Sequence, residues 1–421
     1  MTASVYGSVT QTALAEYFIK RFNMVGRDAE YQRNRPTLSW MPRDTEKLKQ
    51  GDGFYETVKI AGGWGGTPDW VTGNQYHSVS TKMRWAVTDP YAQYARITFD
   101  NLSLARNNLG TLIDIKGSEA EDVRESMLNT LEFQLWSDGN GARGQVDVLG
   151  GTEAVRVLTL KTASDVYNFP HGTLFQGSTT ASGGTLHTDI YKVTGVDPVG
   201  GKITATQVTN TGSQELADED FLHVISSKAA VMPGIPYFIP SADPADTVKG
   251  VTRTADPATS GWRFPFRSSI SETIQRAFAM MGRWVNRAAG KFVVVLSTMD
   301  WLLLSMEREG RILEDPGAFQ KWGLTGLAVQ TPFGPITCVA VPQLADGRGY
   351  IIDWTSWKLY TLKNLPHVVD EDGQTFVRGG IETVSGNEHL NGDFVAMQLR
   401  IWTELLCLQP MSNATFPTRA S

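Results

Sequence analysis

The sequence predicts an α+β fold with a small β-barrel or sandwich module inserted into it. Three observations carry that expectation. The chain holds 41 Gly and 19 Pro in 421 residues, so turns are many and long helices few. Residues 153–227 string short strand-like runs between turn signals at regular spacing, as small all-β modules do. Helical periodicity is confined to a few stretches, and after residue 267 those stretches alternate with strands.

Residues 1–50 read as an arm. A short helix is expected over Thr12–Phe22, with Leu14, Phe18 and Phe22 on one face. The polar segment Arg27–Lys49, broken by Pro36 and Pro42, cannot build a core of its own and must lie on something else or stay mobile. Residues 51–100 are rich in aromatics and read as an extended β loop. Strand-like runs at Phe54–Ile60 and Ser80–Val87 flank Gly62-Gly-Trp-Gly-Gly66, and a third run spans Tyr91–Phe99. A two-stranded ribbon is marginal alone in water. Its aromatics, Phe54, Tyr55, Trp64, Trp70, Tyr76, Trp85 and Tyr91 among them, need a surface: either the chain's own core or a neighbouring subunit.

The strongest helix covers 107–136. Ser118 and Glu121 match a capping box, and Val123, Met127, Leu131 and Leu135 recur on one face. Ser137-Asp-Gly-Asn-Gly141 terminates it. The inserted β module follows, with strands at Val155–Leu160, Thr173–Gln176, Ile190–Val196, Lys202–Val208 and Phe221–Ile225. Residues 233–267 read as a long loop. Ser269 and Glu272 then start a helix whose buried face is Ile270, Ile274, Phe278, Met281 and Val285. Phe292–Leu296 is a fully buried strand, and Ser297 or Thr298 caps a helix reaching Arg308. Strands follow at Leu324–Gln330, Ile336–Val341, Tyr350–Asp353 and Lys358–Leu362. A long strand, Phe394–Leu408, closes the chain.

Composition narrows the function classes. With 38 Lys and Arg against 44 Asp and Glu, the net charge is −6, which argues against a basic nucleic-acid-gripping surface. Cys338 and Cys407 sit in apolar runs and read as buried thiols in a reducing compartment. The opening residues lack the basic and apolar regions of a signal peptide. No apolar run nears the ~18 residues of a membrane span.

No catalytic, metal or cofactor site is expected. Gly195–Lys202 misses P-loop spacing by one residue and reads as a turn. Gly62–Gly66 lacks the βαβ setting of a dinucleotide site. There is no nucleophile elbow, no paired-histidine zinc motif and no Cys-x-x-Cys. Asp370-Glu-Asp-Gly373 lacks the later ligands of a calcium loop and reads as a hairpin turn. Glu307, Glu309, Glu314 and Asp315 read as a solvated face. Asn413-Ala-Thr415 is a glycosylation sequon without a secretion signal.

The order of elements says more than any motif. An arm, an aromatic β loop, a long helix closed by Ser137-Asp-Gly-Asn-Gly141, a β insertion, an α/β unit and closing strands follow one another. Thr130-Leu-Glu-Phe-Gln-Leu-Trp-Ser-Asp-Gly-Asn-Gly, Gly349-Tyr-Ile-Ile-Asp-Trp-Thr-Ser-Trp-Lys-Leu-Tyr and Gly392-Asp-Phe-Val-Ala-Met-Gln-Leu-Arg-Ile-Trp resemble the major capsid proteins of tailed bacteriophages, which share the Hong Kong 97-type fold. The resemblance is diffuse but covers nearly the whole chain. It implies an N-terminal arm at 1–50, an E loop at 51–100, a peripheral (P) domain at 101–150 and 346–421 and an axial (A) domain at 231–345, with the inserted module at 151–230.

The resemblance also implies a function: a structural protein, not an enzyme, that assembles into hexamers and pentamers of an icosahedral shell around packaged double-stranded DNA. The E loop would lie over a neighbouring subunit, making Phe54, Tyr55, Trp64, Trp70, Tyr76, Trp85 and Tyr91 interface candidates. The spine helix, with Val123, Met127, Leu131 and Leu135, would run along the inside of the shell. The implied partners are copies of the chain, a separate scaffolding protein, a portal protein, a decoration protein and weakly held DNA, with no membrane. The implied location is the virion, assembled in the host cytoplasm. Lys59 and Lys82 lie in the loop without a recognisable crosslinking Asn and Glu, so a non-covalent shell is expected. The rival readings are an encapsulin-type compartment, a β-rich phage tail or carbohydrate-binding protein, and a hydrolase with no local signature.

Overall fold

The computed structural model describes residues 35–50, 53–61, 68–69, 81–87, 90–100, 109–209, 215–225, 227–282, 292–307, 327–362, 365–368, 376–378, 381–384, 387–390 and 394–420. The expected helix at 12–22 lies outside these residues. So do Trp64, Trp70, Tyr76, Gly290, the Asp370–Gly373 turn, Glu309, Glu314 and Asp315.

The chain enters as helix α1 (Pro36–Trp40) and strand β1 (Arg43–Asp44). This part of the arm does find a core. Leu38 and Met41 are buried, and β1 pairs in parallel with a later strand. Strands β2 (Phe54–Ala61) and β3 (Thr81–Val87) form a separate two-stranded ribbon, and β4 (Tyr91–Asp100) leads to the long helix α2 (Leu109–Leu135). The helix begins ahead of Ser118, so that residue lies in its interior rather than at its cap.

Six strands then close into a barrel: β5 (Ala142–Gly151), β6 (Val155–Leu160), β7 (Leu174–Ser178), β8 (Ile190–Asp197), β9 (Lys202–Thr209) and β10 (Phe221–Val224), in the order β10-β5-β6-β9-β8-β7. The barrel has its own core, built on Val146, Leu158, Phe169, Phe175, Tyr191, Val193, Ile203 and Leu222. Its first strand starts at Ala142, ahead of the expected edge at 151. Ala142-Arg-Gly-Gln-Val-Asp carries too little apolar alternation to announce a strand, and pairing with β6 and β10 imposes it.

The expected loop at 233–267 contains short elements: α3 (Ile235–Phe238), β11 (Thr247–Val248), β12 (Val251–Thr252), α4 (Pro257–Ser260) and β13 (Trp262–Arg263). Helix α5 (Ile270–Met281) is capped as its sequence requires: Ser269 Oγ accepts the Glu272 N–H at 3.1 Å. Strand β14 (Phe292–Leu296) and helix α6 (Thr298–Glu307) follow, and Ser297 Oγ accepts the Asp300 N–H at 3.1 Å. Then come β15 (Leu327–Thr331), β16 (Gly334–Ala340), β17 (Arg348–Asp353) and β18 (Trp357–Thr361), and the short strands β19 (His367–Val368), β20 (Phe376–Arg378), β21 (Ile381–Val384) and β22 (Asn387–Leu390). The long β23 (Phe394–Cys407) does not close the chain. A last strand, β24 (Ala414–Pro417), comes after it.

Two sheets organise the body. In one, β23 is the common member and pairs with β4, β18, β19 and β20, while β1 extends the sheet through β18. A core beneath it joins Met397, Leu399, Ile401 and Leu405 to Leu128, Leu131 and Leu135 of α2. The other sheet runs β13-β24-β17-β14-β16-β15, with α5 and α6 packed on it around Phe278, Val294, Leu304, Ile336 and Phe416. Because β17 and β24 belong to this second sheet, the α/β unit borrows strands from beyond residue 346.

Candidate assembly surfaces

The ribbon shows how one pair of strands divides its side chains. Successive residues point to opposite faces. Trp85 is 1% exposed and sits in the chain's own core, where its Nε1–H donates to the Cys407 carbonyl at 2.8 Å and its ring meets Phe238 edge-on. That side chain is not free to meet a neighbour. Phe54 is half-buried against Tyr360, with ring centroids 4.8 Å apart, and Tyr91 is half-buried against the same core. Tyr55 is the one that faces outward, 70% exposed. The ribbon pairs with no further strand among the described residues, though the Ala86 N–H of its β3 edge donates to the Lys249 carbonyl at 3.0 Å.

On α2, Met127, Leu131 and Leu135 are buried and Val123 is half-buried against the same core. Asp122, Glu125, Ser126 and Asn129 are exposed. The helix C-terminus is held by close backbone approach. A Cβ on Gly234 would lie 2.3 Å from the Gln134 carbonyl oxygen, so only glycine fits where Gly234 N–H donates to the Ser137 carbonyl at 3.0 Å.

A third surface was not read from the sequence. Met299, Leu302, Leu303 and Met306 of α6 are all exposed, at 52, 44, 38 and 61%. They recur at i, i+3, i+4 and i+7, which makes one apolar stripe along the helix. Asp300 and Leu304 are turned inward instead. Met280 of α5 and Phe333 of the β15–β16 turn add exposed apolar surface to the same unit. Spacing alone could have found the stripe, but it cannot say which side of an apolar helix faces the core.

Several polar groups are held by backbone N–H groups or a buried ion pair. The Glu132 carboxylate caps α1, accepting the Thr37 and Leu38 N–H groups at 3.0 Å each. Burial pushes its pKa up to about 7 against those bonds. Burial likewise pushes Glu404 up to about 7, with Lys249 Nζ 2.5 Å away opposing the shift. Glu307, read as solvated, instead accepts the Ile270 and Ser271 N–H groups at the start of α5, at 3.0 and 3.2 Å. Asn413 of the sequon is fully buried. Its Oδ1 accepts from Asp353 N–H and Trp357 Nε1–H, both at 3.0 Å, and its Nδ2 donates to Ser356 Oγ at 2.8 Å. No glycan fits there. Cys338 and Cys407 are free and buried, and burial pushes the Cys407 thiol far up, leaving it unreactive.

Among the described residues, no group of three or more His, Cys, Asp and Glu could hold a metal ion, and no helix is long and apolar enough to cross a membrane. Among the described residues, two of the clefts are well defined. One of about 750 Å³ lies between the barrel and the α/β unit, lined by Arg143, Asp165, Gln343 and Asp346 among others. One of about 390 Å³ lies between α2, β4 and the segment leaving the barrel.

No family model matches the sequence, and no curated protein matches it. Solved structures do. The capsid asymmetric unit of cyanophage A-1(L) is similar with a TM-score of 0.51 at 11% identity, over 92% of this chain and 93% of that one. The capsid of cyanophage P-SCSP1u matches over 91% of this chain and 87% of that one, at 8% identity and a TM-score of 0.42. A chain of Mycobacterium phage Patience matches over 100% and 91%, at 8% identity and a TM-score of 0.42. The first of these carries the fold assignment: the chain has the Hong Kong 97-type phage capsid fold.

Proposed function

We propose that the chain is the major capsid protein of a tailed phage, a structural subunit that builds a closed shell from copies of itself. One observation carries this reading: the capsid likeness spans nearly the full length of both chains, so it concerns the whole subunit rather than a borrowed module. The exposed surfaces support it. Tyr55 on the outward face of the ribbon and the α6 stripe are apolar groups that a solitary protein has reason to cover. They lie in different parts of the chain, as a head-to-tail ring requires.

In this reading the ribbon is part of an E loop that lies over the next subunit, α2 is the spine helix along the inner wall, and the α/β unit faces the axis of a hexamer or pentamer. The shell holds double-stranded DNA without gripping it, in keeping with a net charge of −6. Scaffolding, portal and decoration proteins are its expected partners, the host cytoplasm its place of assembly, and catalysis no part of its role. The test is negative-stain microscopy of the full chain, expressed alone and with its neighbouring genes. Shells, capsomer rings or tubes of this subunit are expected. A stable monomer or dimer under every condition overturns the reading.

A further inference from the structure

The ribbon meets the main sheet at a corner. Strand β3 ends at Val87, and β4, which pairs with β23, begins at Tyr91, so only residues 88–90 separate the two. The tip of the β11–β12 hairpin reaches into this corner. On one side the Lys249 carbonyl accepts the Ala86 N–H of the ribbon at 3.0 Å. On the other side Lys249 Nζ lies 2.5 Å from Glu404 Oε1 of β23 and 5.9 Å from the centre of the Tyr91 ring. One residue holds both arms of the corner.

The hairpin is built to keep that tip still. Val248 and Val251 are buried in the core of the body. At its base the Arg253 guanidinium donates to both Asp246 oxygens, from Nε at 2.9 Å and from Nη2 at 2.5 Å, the bidentate arrangement that fixes geometry. The same guanidinium lies over the Tyr237 ring at 5.1 Å. Lys249 and Gly250 form the two-residue turn, at φ 47° and 81°, as a type I′ turn requires. Glycine or asparagine takes the first of these positions at little cost, whereas lysine takes it under strain. What lysine adds is reach to Glu404, whose side chain is fully buried. A buried ion pair contributes little net stability, because desolvation offsets the attraction. Backbone strain and an ion pair of small net worth leave alignment as the gain.

We propose that Lys249 is a positioning residue that sets the angle at which the ribbon leaves the main sheet, its carbonyl holding Ala86 and its ammonium holding Glu404, and that it supplies alignment rather than stability. Trp85 plugs the inner face of the ribbon into the core, and Lys249 fixes the β3 edge against the sheet. The device acts within one subunit and is tested there. Its use, aiming Tyr55 at a neighbour, rests on the shell reading above.

Residue-resolved hydrogen exchange on the full chain, paired with melting and run at high enough pH to keep Glu404 ionised, tests this. Lys249→Gly relaxes the turn, keeps the carbonyl and removes the ammonium. The Ala86 amide is expected to exchange roughly tenfold faster, the loss of about one net hydrogen bond. The amides of Trp357–Thr361 in β18 keep their protection, and the melting temperature stays level or rises. Glu404→Gln removes the charge from the other side, leaves the turn alone and is expected to speed Ala86 in the same way. Wild-type exchange at Ala86 in both variants overturns the proposal, because the carbonyl alone then places the ribbon. A change in only one of the two also overturns it, because the pair is then not the cause. So does a lowered melting temperature with exchange raised equally in β3 and β18, which would make Lys249 an ordinary stabilising contact.

Discussion

The barrel and the β2–β3 ribbon are both antiparallel β-structure, yet they end in opposite conditions. The barrel closes on itself, so every strand has two neighbours, and Val146, Phe169, Phe175 and Tyr191 bury one another without help from the body. The ribbon stops at two strands. One face reaches the body through Trp85 and Val58, both buried, while Tyr55 stays exposed. Closure of the backbone ladder, rather than aromatic content, decides which region is self-sufficient. The aromatics of 51–100 do not all need a neighbour. Among the described residues, Trp85 on the inward face is core, while Tyr55 on the outward face is left exposed.

The largest expected effects separate two cores. Phe175→Ala and Trp85→Ala should each cost about 3–5 kcal/mol by leaving a cavity where a large ring was buried. Calorimetry should see them differently: Phe175→Ala lowers a barrel transition and spares the body, whereas Trp85→Ala lowers the body. A single shared transition in both variants would mean that the barrel is not an independent unit.

Next comes Asn413→Ala, at about 3 kcal/mol by denaturant titration. It leaves the Asp353 N–H and the Trp357 indole N–H buried without an acceptor. A cost under about 0.5 kcal/mol, the level of an ordinary surface change, would mean that water replaces the side chain. At the outward faces, Tyr55→Ser and Leu302→Asp should change subunit stability by less than about 0.5 kcal/mol while abolishing shells, read by melting and microscopy side by side. Normal shells from both variants would remove these surfaces from the interface.

The smallest effects are in pH. Glu132 and Glu404, raised to about 7 in the fold, favour the body fully below about pH 4, and that contribution is lost as pH rises through about 7. His223 of the barrel runs the other way. Burial, then the nearby Lys228 charge, push it down to about 4, so its contribution is present above its ordinary value of 6.5 and lost as pH falls through about 4. Glu404→Gln should flatten the neutral limb of the body's stability profile, and His223→Gln the acid limb of the barrel's. Unchanged profiles would assign the pH dependence to other groups.

Much of this fold was legible wherever one local rule acted alone. Phe292–Leu296 is five apolar residues in a row and is a buried central strand. Ser269 and Ser297 announce helix starts and cap them. The barrel strands from Val155 onward carry alternation and turns. What stayed hidden depends on partners far away in sequence. The first barrel strand and β24 have weak patterns and are made strands by their neighbours. Glu132, Glu307 and Asn413 look like ordinary polar residues until the fold sets backbone donors against them. The outward-facing surfaces were only half legible, because periodicity assigns residues to a common face without saying whether that face is covered. Trp85 and Leu302 fall on opposite sides of that ambiguity.

The most direct test of the account is a cryo-electron microscopy map of assembled particles at side-chain resolution. The account predicts the ribbon of residues 54–87 lying across an adjacent subunit, with Tyr55 against it, while the barrel keeps its own core and needs no neighbour to close it. Tyr55 left in solvent in the assembled particle, or a barrel completed by a strand from the next subunit, would contradict it.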